Sequence, residues 1–541
     1  MSAAAGKRIF VIAGAGAEPL TADAQAMGFK AYNLARMAAV GLPVPPAFVL
    51  GTGFCRTLIK PATDAAPELR ELLAVNMRRI EDASGLAFGG ARRPLLVSVR
   101  SGAQVSMPGM LETLLNVGLT DATLHGLLRM TGNPRLVWDS YRRLVQAFAV
   151  IVHGAPAQAF EAALATSLKQ AGAARARELD TRRLTALTQE YLRLHRKLTG
   201  EHFPQDPLAQ LDMAVRAVFR SWMSPRAIEY RRLHRIDDTT GTAVTVQRMA
   251  FGNAGGRSGS GVAFTRNPAS GENRLYMDFL FNAQGEDVVS GRYALESAGQ
   301  LEVVLPQVME QILRVASVLE GEFKDVQEFE FTVQDGALYL LQTRTGKRTP
   351  LAALRIAVEQ VRDGIIAPEE ALRRLRDVKL DGIEQVRVTP SAEAPVLCSA
   401  TAASVGVAIG AIALDVDKAK SLAREQPVIL VRHETTTDDI GGLAVAAGLL
   451  TAVGGRTSHA AVVARQLDKV CLVGCADLSI NLAKRTCRIA GRNFAEGDLL
   501  CLDANAGQVL AGRPALTIEK PLEYLAEVTR WQETGQGQRV A

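Results

Sequence analysis

The sequence is poor in cysteine: Cys55, Cys398, Cys471, Cys475, Cys487 and Cys501 are the only six in 541 residues. That density excludes a disulfide-stapled scaffold, and no C-x-x-C or Cys/His spacing marks a zinc site. The six are expected to be reduced thiols, packed like small hydrophobes. Long apolar runs are missing too. No stretch of 18 or more residues is apolar and free of charge, so no transmembrane helix is expected. Neither sign of charge dominates: 62 Lys and Arg against 56 Asp and Glu leave a formal net charge of +6. Spread over this length, it does not argue for nucleic-acid binding, although it is compatible with a small anionic substrate. Internal repeats and low-complexity segments are absent. What remains is ordinary for a globular chain: 48% apolar and 22% charged residues, with length for about three or four domains. Lys7 and Arg8 precede the apolar run IFVIAGAGA. The run lies at the lower limit for a signal-peptide core and no cysteine-rich region follows. It is therefore read as a first β-strand, and the protein as cytoplasmic, without membrane or nucleic-acid partners.

The spacing of apolar residues divides the chain into regions of different texture. Residues 1–60 mix short strands with an amphipathic helix over 31–40 that stops at Gly41, and LPVPPAFVL reads as an extended passage. Residues 155–200 have helical spacing. A long helix over 207–235 places Leu211, Val215, Val218, Phe219 and Trp222 on one face, with a break or restart at Pro225. From 241 to 345, runs such as TAVTVQRMA, GVAFTRN, FEFTV and LYLLQTR alternate with glycine-rich turns, as in an antiparallel or mixed sheet. Residues 350–380 return to helix, with a start at Pro368. From 391 to 512, the strand runs PVILV, VCLVG and LLCLD surround helical stretches and indicate a compact α/β domain. The segment 513–541 is polar, with one amphipathic piece around 522–531.

The sharpest local feature is Gly454-Gly455-Arg456-Thr457-Ser458-His459, followed by AAVVARQLD. Two glycines let a backbone approach a ligand closely. Thr457 or Ser458 suits the cap of the helix that follows. His459 then lies at the helix N-terminus, where free N–H groups and the macrodipole favour an anion. The same dipole end disfavours the imidazolium, so a neutral, nucleophilic imidazole is expected, and a phosphoryl group on it would be stabilised. Residue chemistry alone also allows an ordinary polar residue at a helix start.

The run TAVGGRTSHAAVVARQLDKVCLVGC resembles the phosphohistidine signature of the phosphoenolpyruvate-utilising enzymes. The wider run VILVRHETTTDDIGGLAVAAGLLTAVGGRTSHAAVVAR is similar to the pyruvate, phosphate dikinase branch of that family. The resemblance implies that His459 is a phosphoryl carrier on a swivelling β/β/α domain. Thr457 matches a threonine that plant members use for regulation. One residue does not carry that regulation over, and a phosphate hydrogen bond or cap is its plain role.

Further upstream, MGFKAYNLARM, VSVRSGAQVSMPGMLETLLNVGL and DSYRRLVQAF resemble the family's ATP-grasp-like nucleotide domain. The match implies phosphate contacts for Lys30, Arg100 and Arg143, with Gly109 in a loop over the phosphates. FGNAGGRSGSGVAFTRNPASGE resembles a glycine-rich hairpin, or is a plain flexible one. NAQGEDVVSG carries Glu286, implied to contact the nucleoside. Strand alternation sets Glu328, Glu330 and Thr332 on one face, and Gln342 and Arg344 on one face of another strand. By resemblance Glu330 and Gln342 bind a Mg²⁺–nucleotide and Arg344 a phosphate. Glu328, the third metal residue that the resemblance implies, stands where the family usually has Asp, so the charge is kept on an arm one methylene longer and the metal geometry there differs.

The implied architecture is multidomain α/β. It has an ATP-grasp-like nucleotide domain (1–240 with a helical insertion, then 241–349), a helical linker (350–390), the phosphohistidine domain (391–512) and a C-terminal tail (513–541). The family's phosphoenolpyruvate/pyruvate (β/α)₈ barrel needs about 250 residues, so no TIM barrel is expected here. The implied reaction is half of a dikinase: ATP and orthophosphate phosphorylate His459, giving AMP and pyrophosphate, and pyruvate or another acceptor sits on a separate subunit. A monomer or weak dimer is expected. Two other readings stay open: another phosphohistidine phosphotransferase (a water dikinase or small-molecule kinase), and a non-enzymatic nucleotide-binding regulatory remnant.

Overall fold

The structure is a computed structural model that describes residues 9–14, 23–59, 66–105, 107, 110–289, 298–389, 394–435, 439–455 and 458–537. It divides into two compact units: Met1–Gly255 with Tyr339–Thr343, and Gly256–Leu338 with Arg344–Ala541.

In the first unit, β1 (Ile9–Ile12), β2 (Ala47–Leu50), β3 (Val97–Ala103), β4 (Thr113–Val117) and β5 (Thr242–Arg248) form one sheet in the order β1-β2-β5-β3-β4. Every pairing is antiparallel. β5 is central and buried on both faces, so its run of Val and Thr does not show the alternation of a half-exposed strand. The glycine-rich run after it therefore leads from one sheet into another. It does not close a hairpin between paired strands. Helix α1 (Phe29–Ala39) follows β1. The expected helices over 155–200 are Gln158–Ala171 and Thr181–Thr199. The one over 207–235 is α2 (Pro207–Arg220), a 3₁₀ turn, and α3 (Pro225–His234), restarted by Pro225 behind the Ser224 cap. Leu211, Val215, Val218, Phe219 and Trp222 all lie in the core.

A second sheet is formed by β6 (Gly259–Phe264), β7 (Tyr276–Phe281), β8 (Gln327–Gln334) and β9 (Ala337–Thr345), in the order β9-β8-β6-β7. Its register aligns Glu328, Phe264 and Tyr276 in one row, Glu330, Val262 and Asp278 in the next, and Thr332, Ser260 and Leu280 in a third. Residues directly opposite, and those two apart on one strand, share a face. One face therefore carries all nine side chains.

The region 394–511 is layered β/β/α. Strands β11 (Val396–Ser399), β12 (Thr401–Ala402), β13 (Val407–Ala413), β14 (Val428–Arg432), β15 (Gly448–Thr451), β16 (Val470–Val473), β20 (Leu499–Asp503) and β21 (Gln508–Ala511) form one sheet. At its centre β13, β14, β15 and β16 run parallel. One face packs Ala413, Leu430, Leu449 and Cys471 against the helix residues Ala419, Leu443 and Ala461. The other packs Ile412, Ile429, Leu450 and Leu472 against Ile489 and Phe494. The latter two belong to a small sheet of β17 (Leu478–Asn481), β18 (Thr486–Ile489) and β19 (Arg492–Ala495). Alternate residues of β14 thus serve opposite cores, which explains its unbroken VILV run.

The linker and the terminal segment fold onto each other. β10 (Gln385–Thr389) pairs antiparallel with β22 (Ala515–Glu519). Helices α4 (Pro350–Arg362), α5 (Pro368–Leu375) and α6 (Leu522–Gly537) share a core that includes Leu354, Val358, Leu375, Leu525, Val528 and Trp531. The spacing of the last three residues marks the buried stripe of α6. Below this core, Arg266 is 2% exposed at its side chain and holds Glu320 at 2.7 Å, Glu359 at 3.0 Å and Asp363 at 3.1 Å.

Among the described residues no sheet closes into a barrel, and no helix is long and apolar enough to cross a membrane. All six cysteines are free. Cys398 and Cys475 touch, Sγ to Sγ 3.4 Å, and burial pushes the Cys398 thiol up to about 12.

Candidate functional site

Lys30 is the second residue of α1, whose N-cap is Gly28 at φ +74°. That φ favours glycine, and a Cβ there would overlap the carbonyl oxygen of Gly102. Gly102 lies on β3, two residues beyond Arg100. This close approach sets the start of the Lys30 helix against the strand of Arg100, although 70 positions separate them. Lys30 is exposed and Arg100 half-buried. Gly109 lies outside the described residues.

Arg143 is on the helix Pro134–Ala147. Its Nε donates to Asp139 Oδ2 at 2.8 Å, while Arg142 donates to Asp139 Oδ1 at 2.7 Å. Asp139 is 7% exposed. Burial alone would raise its carboxyl, but the charges of Arg143 and Arg142 and their hydrogen bonds outweigh it. They hold the carboxyl at about 2, against an ordinary 3.8. Asp139 therefore orients Arg143, and the i,i+3 and i,i+4 spacing within DSYRR is the signal that marks it. A depressed folded-state value means stability that is present above about pH 4 and is lost as pH falls through about 2. One Asp of this kind is worth about 2 kcal/mol. The Asp139→Asn chain is expected to lose that contribution at neutral pH. Its stability should then depend less on pH between about 4 and 2 than the wild type's, as read by urea unfolding. An unchanged acid slope would show that the carboxyl is not held low.

On the second sheet, Arg344 Nη2 donates to Glu328 Oε1 at 2.6 Å. Burial works against the Arg344 charge, but the hydrogen bond and charge of Glu328, with Glu330 behind it, raise its pKa further. Glu328 thus has a partner of its own, while Glu330 and Gln342 are half-buried. Carboxylate and amide oxygens are suitable donors for Mg²⁺, which binds one or two carboxylates plus the phosphates of its nucleotide. Among the described residues no cluster of three or more His, Cys, Asp or Glu forms a ready-made metal cage. Glu286 is in the short helix α7 (Gly285–Val289). That helix packs through Val288 on Val262 and Leu280, on the face that bears Glu330.

The histidine loop leaves the C-terminal end of parallel strand β15, the usual place for a ligand in such sheets. Ala452 N–H donates to Arg432 O and Val453 N–H to His433 O, which pins the loop to the end of β14. Gly454 turns it at φ +116°. Ser458 caps α8 (His459–Gln466), its Oγ accepting from Ala461 N at 3.4 Å, and His459 is the first helical residue. Of the two expected caps, Ser458 is the one used; Arg456 and Thr457 lie outside the described residues. One turn and a half along α8, the Arg465 guanidinium lies 5.6 Å from the Phe264 ring centroid and donates to Ala403 O. Tyr276 Oη donates to Ala402 O at 2.8 Å. Phe264 and Tyr276 form the row that contains Glu328. The helix of His459 is therefore laid beside the polar face of the second sheet.

Residues 63–297 match the family described as "Pyruvate phosphate dikinase, AMP/ATP-binding domain", and residues 424–507 match "PEP-utilising enzyme, mobile domain". The chain is similar to the pyruvate, phosphate dikinase of Clostridium symbiosum, 43% identical over 490 residues, covering 90% of this chain and 56% of the relative. The Rhizobium meliloti enzyme is 39% identical over 541 residues, covering 97% and 60%. Pyruvate, phosphate dikinase 2 of Zea mays is 42% identical over 494 residues, covering 91% and 56%. The chain thus spans a little over half the length of these curated relatives.

Proposed function

We propose that this chain is a phosphotransferase that phosphorylates its own His459 from ATP and orthophosphate, releasing AMP and pyrophosphate. The phosphoryl group then passes to pyruvate, or another acceptor, on a separate phosphoenolpyruvate/pyruvate-binding subunit. The observation that best supports this is the docking of the His459 helix beside the sheet face of Glu328, Glu330 and Arg344. Carrier and donor functions need that adjacency, because phosphoryl transfer depends on in-line positioning and charge stabilisation. Lys30, Arg100, Arg143 and Arg344 balance the phosphate charge, and Asp139 and Glu328 orient two of those arginines. Glu330 and Gln342 hold Mg²⁺, which when bound supplies further charge neutralisation on the phosphates. Thr457 and Gly109 are assigned to the phosphates and Glu286 to the nucleoside. The His459 imidazole attacks the β-phosphorus and AMP leaves; orthophosphate then takes the γ-phosphoryl as pyrophosphate, so that the β-phosphoryl stays on His459.

Incubation with β-³²P-ATP and Mg²⁺ is expected to give acid-labile, base-stable label on the protein and AMP, with pyrophosphate formed only when orthophosphate is present. Label with AMP but inorganic phosphate in place of pyrophosphate would identify a water dikinase. ATP binding without any label would leave a nucleotide-binding regulatory protein.

A further inference from the structure

Gln284 differs from the other polar groups near the second sheet. It is 5% exposed, yet neither its amide nitrogen nor its amide oxygen meets a hydrogen-bonding partner in the protein. Native structures rarely leave a buried carboxamide unpaired at both ends, because burial strips its water without replacing it. Its backbone is firmly held. Gln284 N–H donates to Asp287 Oδ2 at 3.0 Å, and the preceding carbonyl, Ala283 O, accepts from Ser260 Oγ at 3.0 Å. Ser260 Oγ lies 3.2 Å from Thr332 Oγ1, and Thr332 is two residues along β8 from Glu330, about 7 Å. The main chain that bears the unpaired amide is thus fixed at one end of the face that carries Glu330.

The chemistry of the group narrows what it can bind. A carboxamide offers a donor and an acceptor side by side. Phosphate oxygens at neutral pH only accept. The N6–N7 edge of adenine offers an amino donor beside a ring-nitrogen acceptor, the complement of a glutamine amide. Hypoxanthine and guanine present two acceptors on that edge, so the amide would satisfy only one of them. We propose that Gln284 reads the N6–N7 edge of the adenine of the bound nucleotide and sets base preference at this site. The inference rests on the nucleotide reading of the site given above.

The test is equilibrium binding of ATP, 7-deaza-ATP, ITP and 2′-deoxy-ATP to the full chain with Mg²⁺, in a His459→Ala background that prevents turnover. With Gln284 present, ATP is expected to bind about tenfold or more tighter than 7-deaza-ATP and ITP. Gln284→Met, which keeps the shape and removes both hydrogen bonds, is expected to bring the three to within about twofold. It should leave the ratio of ATP to 2′-deoxy-ATP unchanged. Gln284→Glu, which lacks the donor to N7, is expected to erase the distinction between ATP and 7-deaza-ATP. Without nucleotide, Gln284→Met should melt about 2 °C or more above its parent, because an unsatisfied group has been removed. ATP binding with the base preference intact in both variants overturns the inference alone. A fall in the melting temperature of nucleotide-free Gln284→Met also overturns it, since the amide would then be a structural element. No binding of any nucleotide by the parent chain overturns the nucleotide reading and the inference together.

Discussion

His459→Ala is expected to take up no acid-labile label from β-³²P-ATP, a fall of at least about a thousandfold, while still binding ATP. On the proposed function this removes the atom that forms the covalent bond and leaves no partial substitute, as with other nucleophiles acting as part of a unit. The size of the effect follows from the position of the residue. His459 opens α8 behind the Ser458 cap, at the end of β15, with the loop pinned to β14. A helix start is a place that favours an anion, as the proposed phosphoryl carrier requires. Ser458→Ala provides the graded control. Loss of the cap costs about 1 kcal/mol of helix-end stability, so labelling should slow by about an order of magnitude or less without being lost. Labelling of His459→Ala at the wild-type level would place the carrier on another residue. Equal labelling of Ser458→Ala and wild type would show that the capped helix start does not position the imidazole.

Arg266→Met is expected to destabilise the second unit by about 3–5 kcal/mol, measured by urea unfolding with and without nucleotide. Arg266 is buried and satisfies Glu320, Glu359 and Asp363 together. Its removal leaves Glu320 buried, with Gln360 Nε2 at 2.9 Å as a remaining neutral donor. An uncompensated buried carboxylate is far more costly than the pair was favourable. Arg266→Lys should recover only part of the loss, because one ammonium cannot address three carboxylates in the fork geometry of a guanidinium. Arg266→Met combined with Glu320→Gln should recover more than Arg266→Lys, since the stranded charge is gone. A loss under about 1 kcal/mol for Arg266→Met would show that the cluster is solvated and that linker helix α4 is held by its apolar core alone.

Local chemistry fixes a first set of features. Helix starts at Pro207, Pro225, Pro350 and Pro368 follow from proline at the first helical position. The strand character of 327–334 and 428–432, the cap before His459 and the free state of the cysteines follow from residue type and spacing alone. So does the placing of Glu328, Glu330 and Thr332 on one side of a strand. Contacts between residues far apart in the chain have no such local source. No local signal says that 242–248 completes the first sheet and not the second, that 515–519 returns to pair with 385–389, or that Gly28 meets Gly102. None says that Glu328 is claimed by Arg344, that Arg465 lies over Phe264, or that both ends of the Gln284 amide are left unpaired. Periodicity along a chain reports which face of an element is apolar. Which other face covers it, and which polar groups the packing then satisfies or strands, is settled only when distant segments close together and exclude water.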